Sequence, residues 1–350
     1  MSSRTFSRRS FTGLVLAAGL MTSVSAQAVM AQEYTEENPL KVALVVHGNL
    51  GDKSFFDSAA AGLKKAEDEL PVKITVIEAG YDRGRWQPAL ADATDQDYDV
   101  IIAGTWEMTG FMSELAPEYP DTKFIIFDDA PDFSGGAFPN ILALNYRVST
   151  AAYLAGYAAA KVSTTGKLGE ILGVEGTTVV EFALGFEQGA KAANPDIQVT
   201  RAIAGSFDDP AKGKELALAQ FAQGIDVVFP IAGGTGIGAL QAARDEHKLA
   251  VGVDSDQAAI FAPTDPAQAE VIFTSVEKKV GDSLYTALKE TLAGTAPYGT
   301  NLILGLADGA VGISKNEYYK KLVPADVQAA VDAEEAKINS GEIVVDTGMK

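Results

Sequence analysis

Short apolar runs and longer amphipathic stretches alternate along most of this chain. The runs at 41–46, 73–78, 100–103 and 124–127 are too short for helices and suit strands buried in a sheet. Between them, 54–70, 85–94 and 107–119 carry apolar residues at helical spacing, with Ser54 as a good N-cap and Pro120 as a stop. A strand at 141–146 and a helix at 150–162 follow. A second series repeats the order, with strands at 168–172, 199–204, 227–232 and 249–253 and helices at 179–193, 210–223 and 237–247. The tail adds strands at 271–274, 302–306 and 311–313, the last two around the turn pair Asp308-Gly309, and helices at 277–292 and 324–339.

Repeated βα order predicts an α/β chain, with parallel sheets carrying helices on both faces. Two such series, each about 110 to 130 residues, predict two doubly wound lobes. The expected division is lobe 1 at 32–147 with a return segment near 254–298, and lobe 2 at 148–253 with a return near 299–350. A chain that crosses repeatedly between lobes makes a hinged cleft, and ligands bind in such clefts.

The stretch 227–257, VVFPIAGGTGIGALQAARDEHKLAVGVDSDQ, is one βαβ unit whose glycines and acid lie at carboxyl ends of strands. Three readings compete. Gly234-Thr235-Gly236-Ile237-Gly238-Ala239 fits G-x-G-x-x-A, and Asp254 lies where a dinucleotide site places its ribose-binding acid. A sugar or nucleoside site would use the same carboxylate without a pyrophosphate. Alternatively, the glycines only let helix and strand approach closely.

Composition narrows the classes. Residues 1–31 hold three arginines and no acid, leaving 25 basic against 47 acidic residues, a net of −22. So acidic a body repels nucleic acid and anionic membrane surfaces. Absence of cysteine removes disulfides, thiolate metal sites and any lipidated N-terminal cysteine. His47 and His247 are too few for a His-rich metal site, so neither metal nor cofactor is expected. Residues 1–31 read as an address: Ser7-Arg8-Arg9-Ser10-Phe11 has the twin-arginine form, followed by an apolar stretch and small residues around Ala26-Gln27-Ala28. That stretch falls short of the roughly 20 residues of a spanning helix. Export to the periplasm of a Gram-negative cell, soluble and unlipidated, is predicted. Because this route often carries proteins folded around a cofactor, it lends the dinucleotide reading some weight.

Several stretches together resemble the basic membrane protein family, a branch of the type I solute-binding proteins of ABC importers. They are Gly51-Asp52-Lys53-Ser54-Phe55, Tyr153-Leu154-Ala155-Gly156-Tyr157, FALGFEQG at 182–189, Gly205-Ser206-Phe207-Asp208-Asp209, the AGGTGIG segment, Gly252-Val253-Asp254-Ser255-Asp256 and Thr274-Ser275-Val276-Glu277-Lys278. The resemblance runs from about 41 to 313 and implies the type I periplasmic-binding-protein fold, an ABC permease partner and a purine nucleoside ligand. It further implies that Phe55 and Phe207 stack on the two faces of a base, with Phe182 the alternative to Phe207. Asp254 would accept from ribose hydroxyls, Lys278 would donate to sugar oxygens, and Asp128 would help fix the ligand. Asp52 and Gly233 join these as ligand-binding candidates, and Trp106 is divided between core and cleft.

Two positions depart from the family's pattern. His47 stands where an aspartate is usual, and Phe56 replaces an asparagine. Both lie at the base end, so the leading expectation is a nucleoside or related ring-bearing solute whose edge pairs with His47. The other readings are an exported NAD(P)-dependent oxidoreductase using the GTGIGA loop and a ligand-sensing partner of a membrane receptor.

Overall fold

A computed structural model of the protein describes residues 34–348. The predicted export segment lies outside them. In chain order the strands are β1 (Leu40–Val46), β2 (Val72–Glu78), β3 (Val100–Gly104), β4 (Lys123–Phe127), β5 (Ile141–Tyr146), β6 (Lys167–Leu172), β7 (Gln198–Ile203), β8 (Val227–Ile231), β9 (Leu249–Asp254), β10 (Ile272–Lys278), β11 (Thr300–Leu304) and β12 (Val311–Ile313). They form two sheets, ordered β11-β5-β4-β3-β1-β2 and β12-β10-β9-β8-β6-β7. One plan is used twice. Within the described residues all pairings are parallel except β10 with β12.

Every residue of β3 and β8 is buried, as is all of β1 except Lys41, because helices cover both faces of each sheet. Pro230 sits inside β8, where it cannot donate to a ladder; β8 pairs with β9 only at Val227 and Val228. The two sheets and their helices are the two doubly wound lobes of an α/β type I periplasmic-binding-protein fold.

The lobe boundaries differ from the expected ones. β10 lies in the second sheet, beside β9, whereas the sequence reading gave 254–298 to lobe 1. The chain then returns to lobe 1 with the helix Val280–Leu292, which packs on the helix Phe55–Glu69, and with β11 against β5. It crosses again at 305–310 to place β12 in lobe 2. A short apolar run does not encode which of two similar sheets it joins; strand-to-strand register decides that. The three crossovers are laced together by backbone bonds from Arg147 N to Leu304 O (2.8 Å) and from Lys279 N to Ala310 O (2.8 Å).

Two local expectations also change. β10 extends to Lys278, so this lysine ends a strand and does not open a helix. The helix after β8 begins at Gly233, not at 237, which puts the glycines inside it. Short helices at Gln257–Phe261, Pro266–Ala269 and Glu317–Leu322 are too brief to show a period in sequence.

Candidate functional site

Between the lobes, at the carboxyl ends of the strands, lies a cavity of about 120 Å³. All nine residues singled out from the sequence line it. Backbone strain gathers at the same edge. Of six non-glycine residues with positive φ among those described, four belong to it: Lys53, Thr105, Asp128 and Asp254. Such conformations cost roughly 1–3 kcal/mol each and persist where a site needs them.

One end of the cavity is ionic. Lys278, 3% exposed at the end of β10, places Nζ 2.9 Å from Asp128 Oδ2 and 3.5 Å from Asp254 Oδ1. Asp128 follows β4 of the first lobe and Asp254 ends β9 of the second, so the lysine bridges the lobes. Burial pushes the Asp254 carboxyl above its usual range, opposed by Lys278 and reinforced by Asp128. Burial alone would lower the Lys278 ammonium, but the two carboxylates outweigh it and hold it charged. Asp254 Oδ2 accepts from Ser54 Oγ at 3.2 Å, while Oδ1 has only the long contact to Lys278. An acceptor with spare capacity beside an ammonium can bind a vicinal diol from both sides, through charge-assisted bonds.

Aromatic rings make the walls. Phe55, the first residue of its helix, is half-buried, with Lys278 Nζ 4.4 Å from its ring centroid. Phe207 is also half-buried on the second lobe. Phe182, weighed as its alternative, also lines the cavity, 5.4 Å from Lys278 Nζ, but it is 2% exposed and packs on Phe229 in the lobe's core. Trp106 is 41% exposed at the mouth, its ring centroid 5.9 Å from the Arg83 guanidinium. It belongs to the cleft, not the core.

Asp52 lines the cavity and also has a structural part. Its carboxylate accepts from the amides of Ser54 (3.0 Å), Phe56 (2.9 Å) and Asp57 (3.2 Å), capping the helix that carries Phe55. Ser54, the predicted cap, makes no capping bond, and its hydroxyl crosses the cleft to Asp254. Burial outweighs the three amides and pushes Asp52 up to about 6.

At the other end, after β1 and β3, His47 Nε2 lies 3.1 Å from Glu107 Oε2 and 3.2 Å from Thr105 Oγ1. Two strand spacings separate β1 from β4, which sets this end about 10 Å from Asp128. Glu107 and Thr105 escaped the sequence reading. The available signal was position alone: Glu107 stands in the first turn of the helix after β3, on the ligand-gathering edge.

The glycine-rich loop is not open to a pyrophosphate. Gly233, with φ of 51°, starts the helix, and Thr235 N donates to Phe207 O at 2.9 Å, pinning the loop that carries Phe207. Gly238 packs so closely on the helix Pro210–Ala222 that a Cβ would overlap the Pro210 carbonyl. Close approach explains this glycine, between helix and helix. Among the described residues no cluster of acid, histidine or cysteine side chains is arranged to hold a metal.

Residues 40–347 match the family described as Bmp, ABC transporter substrate-binding protein PnrA-like. The chain belongs to this family. Basic membrane protein A1 of Borrelia garinii subsp. bavariensis is 34% identical over 309 residues, 87% of this chain and 88% of that one. Basic membrane protein A of Borreliella burgdorferi is 33% identical, with 87% of each chain covered. An ABC transporter solute-binding protein from Aeropyrum pernix has the same fold at a TM-score of 0.79 and 26% identity, over 88% of this chain and 94% of that one. A Caulobacter myo-inositol binding protein shares the fold at 0.61 and 16%, over 86% and 99%. A substrate-binding protein of this kind is not an enzyme: it takes a small-molecule solute outside the cytoplasm and serves a permease. The oxidoreductase reading falls. No helix among the described residues is long and apolar enough to cross a membrane.

Proposed function

We propose that the solute is a nucleoside or a closely related ring-bearing molecule, captured by closure of the two lobes. The observation that carries this reading is one cavity with half-buried rings, Phe55 and Phe207, on its two lobes and the Asp128–Lys278–Asp254 cluster at one end. Rings hold a flat heterocycle whatever its substituents, at about 0.5–1.5 kcal/mol each beyond burial. Asp254 and Lys278 suit the paired hydroxyls of a ribose, Asp128 holds Lys278 in place, and Gly233 supports the Phe207 loop. The 10 Å between the two polar ends suits a molecule with a sugar at one end and a ring at the other. Closure about the three crossovers buries the solute and makes no covalent bond.

In the same reading the chain is exported by the twin-arginine route to the periplasm, remains unlipidated and delivers its solute to an ABC permease of the inner membrane. The first test is mass spectrometry of small molecules released from the denatured, purified protein, followed by calorimetric titration. A released nucleoside or nucleobase, or micromolar or tighter binding of one, supports the reading. Sugars or amino acids in that place, with no nucleoside affinity, overturn it.

A further inference from the structure

The His47 end of the cavity holds three polar side chains whose arrangement decides what they can offer a solute. His47 has two ring nitrogens, and only Nε2 has hydrogen-bonding partners. Nε2 is engaged by Glu107 Oε2 and Thr105 Oγ1. Nδ1 is buried and has no hydrogen-bond partner, and the imidazole packs nearly perpendicular to the rings of Phe56 (5.1 Å, 88°) and Trp86 (5.2 Å, 77°).

With a carboxylate 3.1 Å away, the proton of a neutral imidazole belongs on Nε2, where it is donated to Glu107. Two neighbouring donors, on Trp86 and Thr105, are also committed. Trp86 Nε1 donates to Gly80 O at 2.7 Å, and Thr105 Oγ1 lies 3.4 Å from Glu107 Oε2. Glu107 is different. Its carboxylate offers about four acceptor positions, and its partners are His47, Thr105 and a long 3.4 Å contact from Arg83, whose side chain is 68% exposed. The residue lines the cavity and retains acceptor capacity there. Thr105 helps to hold the array with a backbone at φ 71° and ψ 163°, a conformation almost reserved for glycine.

We propose that Glu107, and not His47, reads the ring edge of the solute, selecting rings that present an N–H donor, and that His47 is a positioning residue for that carboxylate. This rests on the nucleoside reading above and refines it. A carboxylate accepts and never donates at neutral pH, so a ring edge that presents a bare lone pair is repelled there.

The test compares inosine, which carries N1–H, with purine riboside, which has a lone pair at N1 and adds no bulk. Calorimetry on the wild-type protein should favour inosine by about 10- to 100-fold, the range of a charge-assisted bond. Glu107→Gln can donate through its amide, so the preference should collapse or reverse, while discrimination of inosine from 2′,3′-dideoxyinosine stays as in the wild type. His47→Asn should weaken both ligands and keep the preference. Equal binding of the two ligands by the wild-type protein overturns the proposal without any variant. An unchanged preference in a folded Glu107→Gln protein, or a preference lost only in His47→Asn, overturns it as well. If the wild-type protein binds neither ligand nor any other nucleoside, the nucleoside reading itself has failed, a result distinct from equal binding.

Discussion

The two lobes share one strand order, so each position at the cleft edge of one has a counterpart in the other, and the contents differ. After β1 the first lobe has His47; after β6 the second has Gly173, covered by the Phe207 ring. After β3 come Thr105 and Trp106; after β8 come Ala232 and Gly233. Only the next pair matches: Asp128 beyond β4 and Asp254 at the end of β9 both adopt positive φ and both face Lys278. Across these three strand ends lobe 1 therefore presents polar side chains, while lobe 2 presents bare backbone and one acid, with the Phe207 ring beside them and Lys278 arriving from the next strand, β10. A duplicated frame fixes where side chains stand, and it leaves their chemistry free to diverge. An asymmetric solute needs that divergence.

The matched pair should be the most sensitive point. Lys278→Met leaves two buried carboxylates without their shared ammonium, so chemical denaturation should show a loss of about 3–5 kcal/mol, with solute binding abolished. A loss below about 1 kcal/mol would mean that the carboxylates are hydrated and the cluster is loose.

Asp52, the cap of lobe 1, titrates with a definite sign. Its folded carboxyl lies at about 6 against 3.8 when unfolded. The folded state thus keeps its proton where the unfolded state releases it. Its contribution is greatest below about pH 4, declines as pH rises to about 6, and is flat above. The full change is roughly 3 kcal/mol. Denaturation midpoints of the wild type compared with Asp52→Asn across pH 4–7 should differ in slope, and parallel profiles would refute the assignment.

Asp254→Ala should lower solute affinity by about 100-fold, the scale of one charge-assisted interaction that is left unmade. Unchanged affinity would show that Asp254 does not meet the solute. Gly173→Ala asks whether the bare counterpart of His47 matters: a Cβ there overlaps the Phe207 ring. The half-exposed ring should shift, costing about tenfold in affinity with little change in melting temperature. The mildest change is Ser255→Ala. Ser255 Oγ donates to Ser54 O across the cleft at 3.1 Å, away from the cavity wall. Its loss should speed solute dissociation by about threefold, measured by stopped flow; an unchanged rate would mean that this bond does not hold the lobes shut.

Much of this protein was legible in its sequence. Alternating apolar runs and helical periods fixed two parallel α/β series, because strand and helix periods are local properties of the chain. Residues at the ends of those runs, such as Asp128, Phe207 and Asp254, could be placed on the ligand edge for the same reason, and the structure sets them around one cavity. Tertiary structure decided what depends on pairings between distant segments. Membership of β10 in the second sheet brought Lys278 between two carboxylates 150 and 24 residues away in sequence. The Ser54 hydroxyl could not be known to leave its own helix for Asp254, 200 residues on. Nor could His47 be known to spend its nitrogen on Glu107, since strand order, not sequence distance, makes β1 and β3 neighbours. Local periodicity determines elements and the edge where they end; which side chains meet across that edge is set by packing, where most buried polar atoms are paired with whatever partner the fold brings within reach.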